Sequence, residues 1–169
     1  MSDLVRQLGP LAFASRLKRI SDRLYRDISR IYEELDVDFE ARWFLVLVLL
    51  AQESPLGVTE VSDRLGLTHP AVNQIVGAMS RHGLVLSKSD RKDERRRLLS
   101  LSARGRRLTE RLEPVWKVVS DQTAHLIEET GIDFLAALNK IELSLDSRDM
   151  YERVGTALQQ DTASAAGAK

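Results

Sequence analysis

The apolar positions near the start of the chain recur with the period of a helix. They are separated by steps of three or four residues, so they share one face of a long helix predicted over about residues 11–35. The stretch "ARWFLVLVLLAQE" (41–53) predicts a second helix that is apolar on all sides and therefore central to the core. "SPLG" (54–57) is predicted to break the chain after it. The first helix carries Phe13, Leu17, Ile20, Leu24, Ile28, Ile31 and Leu35 on its apolar face.

Two shorter helices are predicted within "VTEVSDRLGLTHPAVNQIVGAMSRHGL" (58–84). Gly66 suits the left-handed residue that ends a helix. Thr68 is a natural N-cap, and Pro70 lies in the first turn, where a missing N–H costs nothing. Gly83 ends the second helix. Two short helices joined by a tight turn that contains glycine predict a helix-turn-helix.

A charged hairpin is predicted directly after these helices. Two short strands are predicted, "LVLSKS" (84–89) and "RLLSLS" (97–102). Leu84 and Leu86, like Leu99 and Leu101, alternate there with less apolar neighbours, as in a half-buried antiparallel pair. The charged segment 90–96 lies between them as the tip. A β-hairpin that follows a helix-turn-helix makes a winged helix.

The remainder of the chain is predicted to be helical. Ser102 is a suitable N-cap for a helix that runs to about Thr130, and Pro114 in its interior is expected to kink or break it. A final helix is predicted over about residues 133–159, with a bend near "SLDSRD". The small, polar residues 161–169 predict a disordered tail.

Charge and composition narrow the class of protein. The 25 basic and 25 acidic residues give the chain no net charge. Residues 81–107, however, hold ten Lys and Arg against three acids, which suggests that one face of the protein binds a polyanion.

The absence of cysteine excludes disulfides and thiolate zinc sites, and three scattered histidines do not suggest a metal site. We expect no cofactor and no metal. The longest apolar run, nine residues, is too short for a membrane span, and the N-terminus lacks the pattern of a signal peptide, so a cytoplasmic protein is expected.

The region "VTEVSDRLGLTHPAVNQIVGAMSRHGLVLSKSDRKDERRRLLSLSARG" resembles the MarR family of bacterial transcriptional regulators. The family's wing pattern, an Asp followed two residues later by an Arg and closed by "L-[TS]-x-x-G", is met by Asp93, Arg95, Leu101, Ser102 and Gly105. The order of predicted elements agrees with the family along most of the chain. Two departures are Gly57, where the family often has a capping Ser, and Pro114.

The resemblance implies a mainly α fold, a winged helix-turn-helix with a small antiparallel β-hairpin wing and long N- and C-terminal dimerisation helices. It implies one unit over residues 11–160. Within that unit, 11–35 and 103–160 would be dimerisation helices and 39–102 the DNA-binding lobe.

The candidate DNA-binding residues fall on the second helix of the helix-turn-helix and on the wing. Asn and Gln can pair with adenine, and Thr can meet a thymine methyl or a phosphate; the alternative is that Asn73 and Gln74 are only a solvated helix face. Arg95 is the candidate for the minor groove, with Asp93 orienting its guanidinium or forming an exposed pair of little value. The candidates on the helix are Thr68, His69, Pro70, Asn73 and Gln74, and those for phosphate contact on the wing are Lys88, Arg91, Lys92, Arg96 and Arg97.

The resemblance also implies function and partners. We expect a sequence-specific regulator of double-stranded DNA, a ligand-responsive repressor that acts as a homodimer on a pseudo-palindromic operator. A small aromatic or phenolic effector would bind near Tyr32, Arg42, Trp43 and Trp116, although buried aromatic residues are more often plain core. No nucleophile elbow or glycine-rich cofactor loop is present, so an enzyme is not expected. The alternatives are a winged-helix dimerisation module related to a methyltransferase or acetyltransferase fusion, and a winged helix used only for protein contacts.

Overall fold

The structure is a computed structural model that describes residues 3–90 and 96–167. The chain divides into two compact units, Met1–Lys117 and Val118–Lys169. The predicted fold class is confirmed: the protein is mainly helical, with a small antiparallel sheet attached to a helix-turn-helix. The helices are α1 (Leu4–Gln7), α2 (Phe13–Glu34), α3 (Phe44–Glu53), α4 (Val58–Leu65), α5 (His69–Arg81), α6 (Ala103–Glu128), α7 (Phe134–Ser147) and α8 (Met150–Gly167), with 3-10 turns at Gly9–Ala12 and Ala41–Trp43.

The core of the first unit is built around α3, as its apolar sequence predicts. Val46, Leu47 and Leu50 are fully buried, and side chains from α2, α4, α5 and α6 pack around them. Leu45 is half-exposed, so α3 is not buried on every side. The other large side chains that are almost completely buried are Tyr32, Trp43, Met79, Leu84, Leu99 and Leu112.

The helix-turn-helix forms where its capping residues predict it. Helix α4 ends at Gly66, which has a φ of 61° and so occupies the left-handed region. Thr68 is the N-cap of α5 and accepts a hydrogen bond from the amide of Ala71 at 3.4 Å. The buried Ser62 donates a hydrogen bond from its hydroxyl to the carbonyl of Leu67, and this bond holds the turn closed.

The sheet contains the predicted hairpin and one short strand that the sequence did not suggest. In the described residues its order is β1–β3–β2, with all pairs antiparallel. Strands β2 (Val85–Ser89) and β3 (Arg97–Leu101) form the wing, and β1 (Leu56–Gly57) pairs with the outer side of β3. The residue pair Leu56 and Leu99 fixes this register. The segment predicted only as a break therefore also ties the start of α4 to the wing.

Three features of the C-terminal helices differ from the prediction. Helix α6 continues through Pro114, because Leu112 is fully buried and Trp116 packs on the core, so the contacts on either side hold the helix despite the lost hydrogen bond. The predicted final helix is two helices. They separate at Arg148, within the stretch "SLDSRD" where a bend was predicted, and Arg148 is extended with a φ of −156°. Asp149 then caps α8 by accepting a hydrogen bond from the amide of Glu152 at 2.8 Å. Helix α8 also includes residues 161–167, for which a disordered tail was predicted; this segment is rich in alanine, which favours helix.

Candidate nucleic-acid interface

The N-terminal half of α5 presents the predicted base-reading residues to solvent. The opposite face of the helix, with Val72, Val76 and Met79, is buried in the core. A helix held in this way leaves its outer face free to enter a groove of DNA. Thr68, His69, Pro70, Asn73 and Gln74 are all exposed.

The strands of the wing place two of the predicted phosphate contacts at the surface. Lys88 on β2 and Arg97 on β3 are both exposed, and Ser89 pairs with Arg97 in the antiparallel register, so the two bases lie at the same end of the hairpin. The predicted contacts Arg91, Lys92 and Arg95, and Asp93 as the partner of Arg95, lie outside the described residues. Their roles stay predictions.

Arg96 has a partner within the protein. Its Nη2 atom lies 2.6 Å from Oε2 of Glu60 in the first turn of α4. The same carboxylate oxygen accepts a hydrogen bond from the amide of Gly57 at 2.6 Å. The hydrogen bond from Arg96, followed by that from the Gly57 amide, holds the pKa of Glu60 below its usual value.

Glu60 was not among the predicted site residues, although the sequence contained a signal for it. A Glu at the third position of a helix commonly returns to bond the amide of the N-cap residue, and "GVTE" (57–60) fits that half of the pattern. Glycine has no side chain to supply the other half. The local sequence thus predicts the hydrogen bond between Glu60 and Gly57 but not the ion pair between Glu60 and Arg96.

One open groove joins the helix-turn-helix to the wing. It is lined by Asn73 of α5, by Arg96 and Arg97 at the tip end of β3, and by Thr59 and Glu60 of α4. The structure therefore brings a predicted base-reading residue beside two predicted phosphate-binding residues. Thr59 is a further polar group in this groove that sequence reasoning did not select.

The four predicted effector residues differ in their surroundings, and their role stays a prediction. Tyr32 and Trp43 are buried in the core, and Nε1 of Trp116 donates a hydrogen bond to the hydroxyl of Tyr32 at 3.0 Å. Arg42 is exposed and pairs with Glu40. The aromatic side chains form edge-to-face contacts at centroid distances of 5.3 Å (Tyr32 and Phe39), 5.7 Å (Phe39 and Trp43) and 4.9 Å (Phe44 and Trp116).

The described part of the chain holds neither a membrane-spanning helix nor a cluster of metal ligands. No helix there is both long enough and apolar enough to span a bilayer. Nor do His, Asp and Glu side chains come together there in a group of three that could hold a metal ion.

Comparisons with known proteins agree with this geometry. Residues 37–96 match the model of the MarR family, and no curated protein matches the chain in sequence. Among solved structures, the S. aureus MepR–DNA complex is 20% identical, with a TM-score of 0.67, over 79% of this chain and 98% of that one. The PcaV transcriptional regulator from Streptomyces coelicolor, solved with its natural ligand, is 22% identical, with a TM-score of 0.63, over 88% and 97%. The transcriptional repressor CouR, bound to a 23-mer DNA duplex, is 24% identical, with a TM-score of 0.61, over 82% and 96%.

These likenesses establish the fold, and the family match covers the helix-turn-helix and the first strand of the wing. Over residues 37–96 the chain therefore resembles the MarR family, and its fold is that of the solved structures named above.

Proposed function

We propose that this protein binds double-stranded DNA sequence-specifically, as a ligand-responsive repressor that forms a homodimer on a pseudo-palindromic operator. The observation that carries the proposal is the exposed N-terminal face of α5 beside the groove that Asn73 shares with Arg97. An asparagine can pair with both N6 and N7 of adenine in the major groove. This function places the protein with the DNA, in the bacterial cytoplasm.

The charge distribution supports a polyanionic partner. The neutral chain concentrates ten basic residues against three acids in residues 81–107, which include the wing. Lys88 and Arg97 hold their charges at the surface, where they can bind phosphates and release counterions. Such contacts contribute affinity and orientation but little sequence reading.

Exposed apolar side chains in both units support a homodimer. In the first unit, Leu11, in the 3-10 turn before α2, is 84% exposed, and Ile20, on α2, is 52% exposed. In the second unit, none of the described side chains of α7 is buried, and Leu143 is 68% exposed. A monomer rarely leaves large apolar patches in water. A second copy that covers them would create the two-fold axis that a pseudo-palindromic operator requires.

Effector binding is the finer part of the proposal. Arg42 lines an open groove with Tyr25, Arg26, Ser29 and Glu40. Guanidinium groups bind carboxylates through paired hydrogen bonds, and hydroxyl groups can bond to a phenol. A small aromatic acid or phenol would therefore fit the chemistry of this groove, next to the start of the DNA-binding lobe.

DNA binding can be tested without knowing the operator. Duplexes selected by the protein from a random-sequence pool are labelled and titrated by fluorescence anisotropy across a salt series, then footprinted. We expect affinity to fall steeply with salt and the footprint to show two-fold symmetry. Binding that is absent, or that does not depend on salt, would contradict the proposal.

The dimer and the effector need separate measurements. Light scattering coupled to gel filtration should give twice the mass of the 19.1 kDa chain, and Leu143→Asp should lower it. A panel of phenols and aromatic carboxylates is then added to the preformed DNA complex. Release by one member, weakened by Arg42→Gln, supports the effector site; release that is unchanged in this variant places the ligand elsewhere.

A further inference from the structure

An ion pair joins the tip end of the wing to the first helix of the helix-turn-helix. Arg96, the residue before β3, contacts Glu60 of α4 at 2.6 Å. The Glu60 oxygen that binds Arg96 also accepts the amide hydrogen of Gly57 at 2.6 Å. One carboxylate thus connects the wing, the N-terminus of α4 and, through Gly57, the strand β1.

A side chain at position 57 would crowd this arrangement. A Cβ atom built on Gly57 would lie 3.0 Å from Nε and 3.4 Å from Nη2 of Arg96, and 3.3 Å from Oε2 of Glu60. These distances are shorter than most real contacts of a Cβ atom. The glycine therefore leaves room for the guanidinium to lie over the start of α4, in the place that a larger residue would occupy.

We infer that Glu60 is a positioning residue for DNA binding and that Arg96 connects the wing to the helix-turn-helix instead of binding a phosphate. The inference rests on the proposed DNA-binding function. The ion pair lies in the groove that Asn73 and Arg97 also line. By fixing the wing against α4, it sets the distance between a residue that reads a base and a residue that binds a phosphate.

The effect of the pair should appear in DNA binding more than in the stability of the free protein. The side chains of Arg96 and Glu60 are 45% and 46% exposed, and pairs in such contact with water contribute little to folding. DNA that covers the groove excludes water, which strengthens the attraction between the two charges. Removing one partner then takes this attraction away from the other charge in the interface.

The direction in which Glu60→Gln changes the affinity for DNA distinguishes a positioning role from a purely electrostatic one. Glu60→Gln removes a negative charge, and the loss of a negative charge near DNA should by itself strengthen binding. The glutamine oxygen can still accept the amide hydrogen of Gly57, so the helix cap is kept. Weaker binding of the operator by this variant is therefore expected only if the ion pair positions the wing.

The test uses the full chain, a duplex selected from a random-sequence pool and an unrelated duplex. We expect Glu60→Gln and Arg96→Gln each to weaken binding of the selected duplex on the order of tenfold, and the double variant to be no weaker than either, because both remove one interaction. Neither variant should weaken binding of the unrelated duplex, and the dependence of affinity on salt should not change. Glu53→Gln is the matched control, since Glu53 forms a comparable exposed pair with Arg64 and is not among the residues that line the groove.

Arg97→Gln is the reference variant for the loss of a phosphate contact. It should weaken binding of both duplexes and reduce the slope of log affinity against log salt by about 0.9. If Arg96→Gln behaves in the same way, or if Glu60→Gln binds the selected duplex as tightly as the wild type or more tightly, the inference is wrong. Failure of the wild type to bind either duplex would instead overturn the proposed function, and the inference with it.

Discussion

The hydroxyl of Ser102 donates a hydrogen bond to the carbonyl oxygen of Gly83 at 2.6 Å. The same hydroxyl accepts a hydrogen bond from the amide of Gly105 at 2.9 Å. Gly83 follows α5, and Ser102 precedes α6, so this side chain closes the base of the wing and begins the next helix. The amide of Ser102 adds a third bond, to the carbonyl of Leu84 at 2.9 Å.

Replacing Ser102 with alanine should destabilise the protein. The change removes an N-cap and leaves the Gly83 carbonyl without this donor, so we expect the free energy of unfolding to fall by about 1–2 kcal/mol. Urea denaturation followed by circular dichroism measures the change. Ser100→Ala, in the neighbouring strand, is the control, and equal losses in the two variants would contradict the role given to Ser102.

Gly105 should tolerate no side chain. A Cβ atom at this position would lie 2.3 Å from the carbonyl oxygen of Leu84, a backbone atom that cannot move aside alone. We expect Gly105→Ala to lower the free energy of unfolding by about 1–3 kcal/mol, as overpacking does. Gly155→Ala is the matched control, because no described atom lies within 4 Å of its Cβ position; it should stabilise α8 by up to about 1 kcal/mol. Similar results for the two variants would refute the steric argument.

The fold was predictable wherever its signals are local. Gly66 and Thr68 specify the turn of the helix-turn-helix through their own backbone preferences, and both lie where they were predicted. Strand β1 could not be predicted in this way. Two residues show no alternation, and Leu56–Gly57 become a strand only by pairing with β3, which is distant in sequence.

The candidate site was predicted in its residue types but not in its contacts. Exposure of Asn73 follows from the helical period, because Val72 and Val76 must face the core. From the charge of the wing, Arg96 and Arg97 were both predicted to contact phosphates. Only the folded chain brings Glu60 to Arg96, and this contact distinguishes Arg96 from Arg97.

The stability of the protein should fall above about pH 10 in part because of Tyr32. Burial raises the pKa of its hydroxyl above the usual value, although the hydrogen bond from Trp116 lowers it somewhat. As the pH rises past about 10, the hydroxyl of Tyr32 therefore ionises in the unfolded chain before it does so in the folded protein. The contribution of Tyr32 to stability is fully present below that pH and is lost as the pH rises to the pKa of the folded state. Tyr32→Phe should reduce the decline.

Urea denaturation between pH 8 and pH 11 or so, where unfolded tyrosine ionises, measures this effect. Tyr151→Phe is the control, since that side chain is 85% exposed. At neutral pH, Tyr32→Phe should cost about 1 kcal/mol for the lost bond with Trp116. An identical high-pH decline in the wild type and in Tyr32→Phe would exclude Tyr32 as its source.

Replacing Asn73 should reduce the discrimination between DNA sequences. Its side chain is exposed on α5 and lines the groove beside Arg96 and Arg97, where its amide can pair with a base edge. We expect Asn73→Ala to cost about 1–3 kcal/mol in binding of the selected duplex and to relax the preference at one base pair of each half-site. Lys88→Ala, at an exposed position of β2, should weaken all sequences about equally. Selection repeated with each variant, followed by anisotropy titration, gives both quantities; if Asn73→Ala lowers affinity uniformly without changing the selected sequence, Asn73 contacts the DNA backbone and not a base.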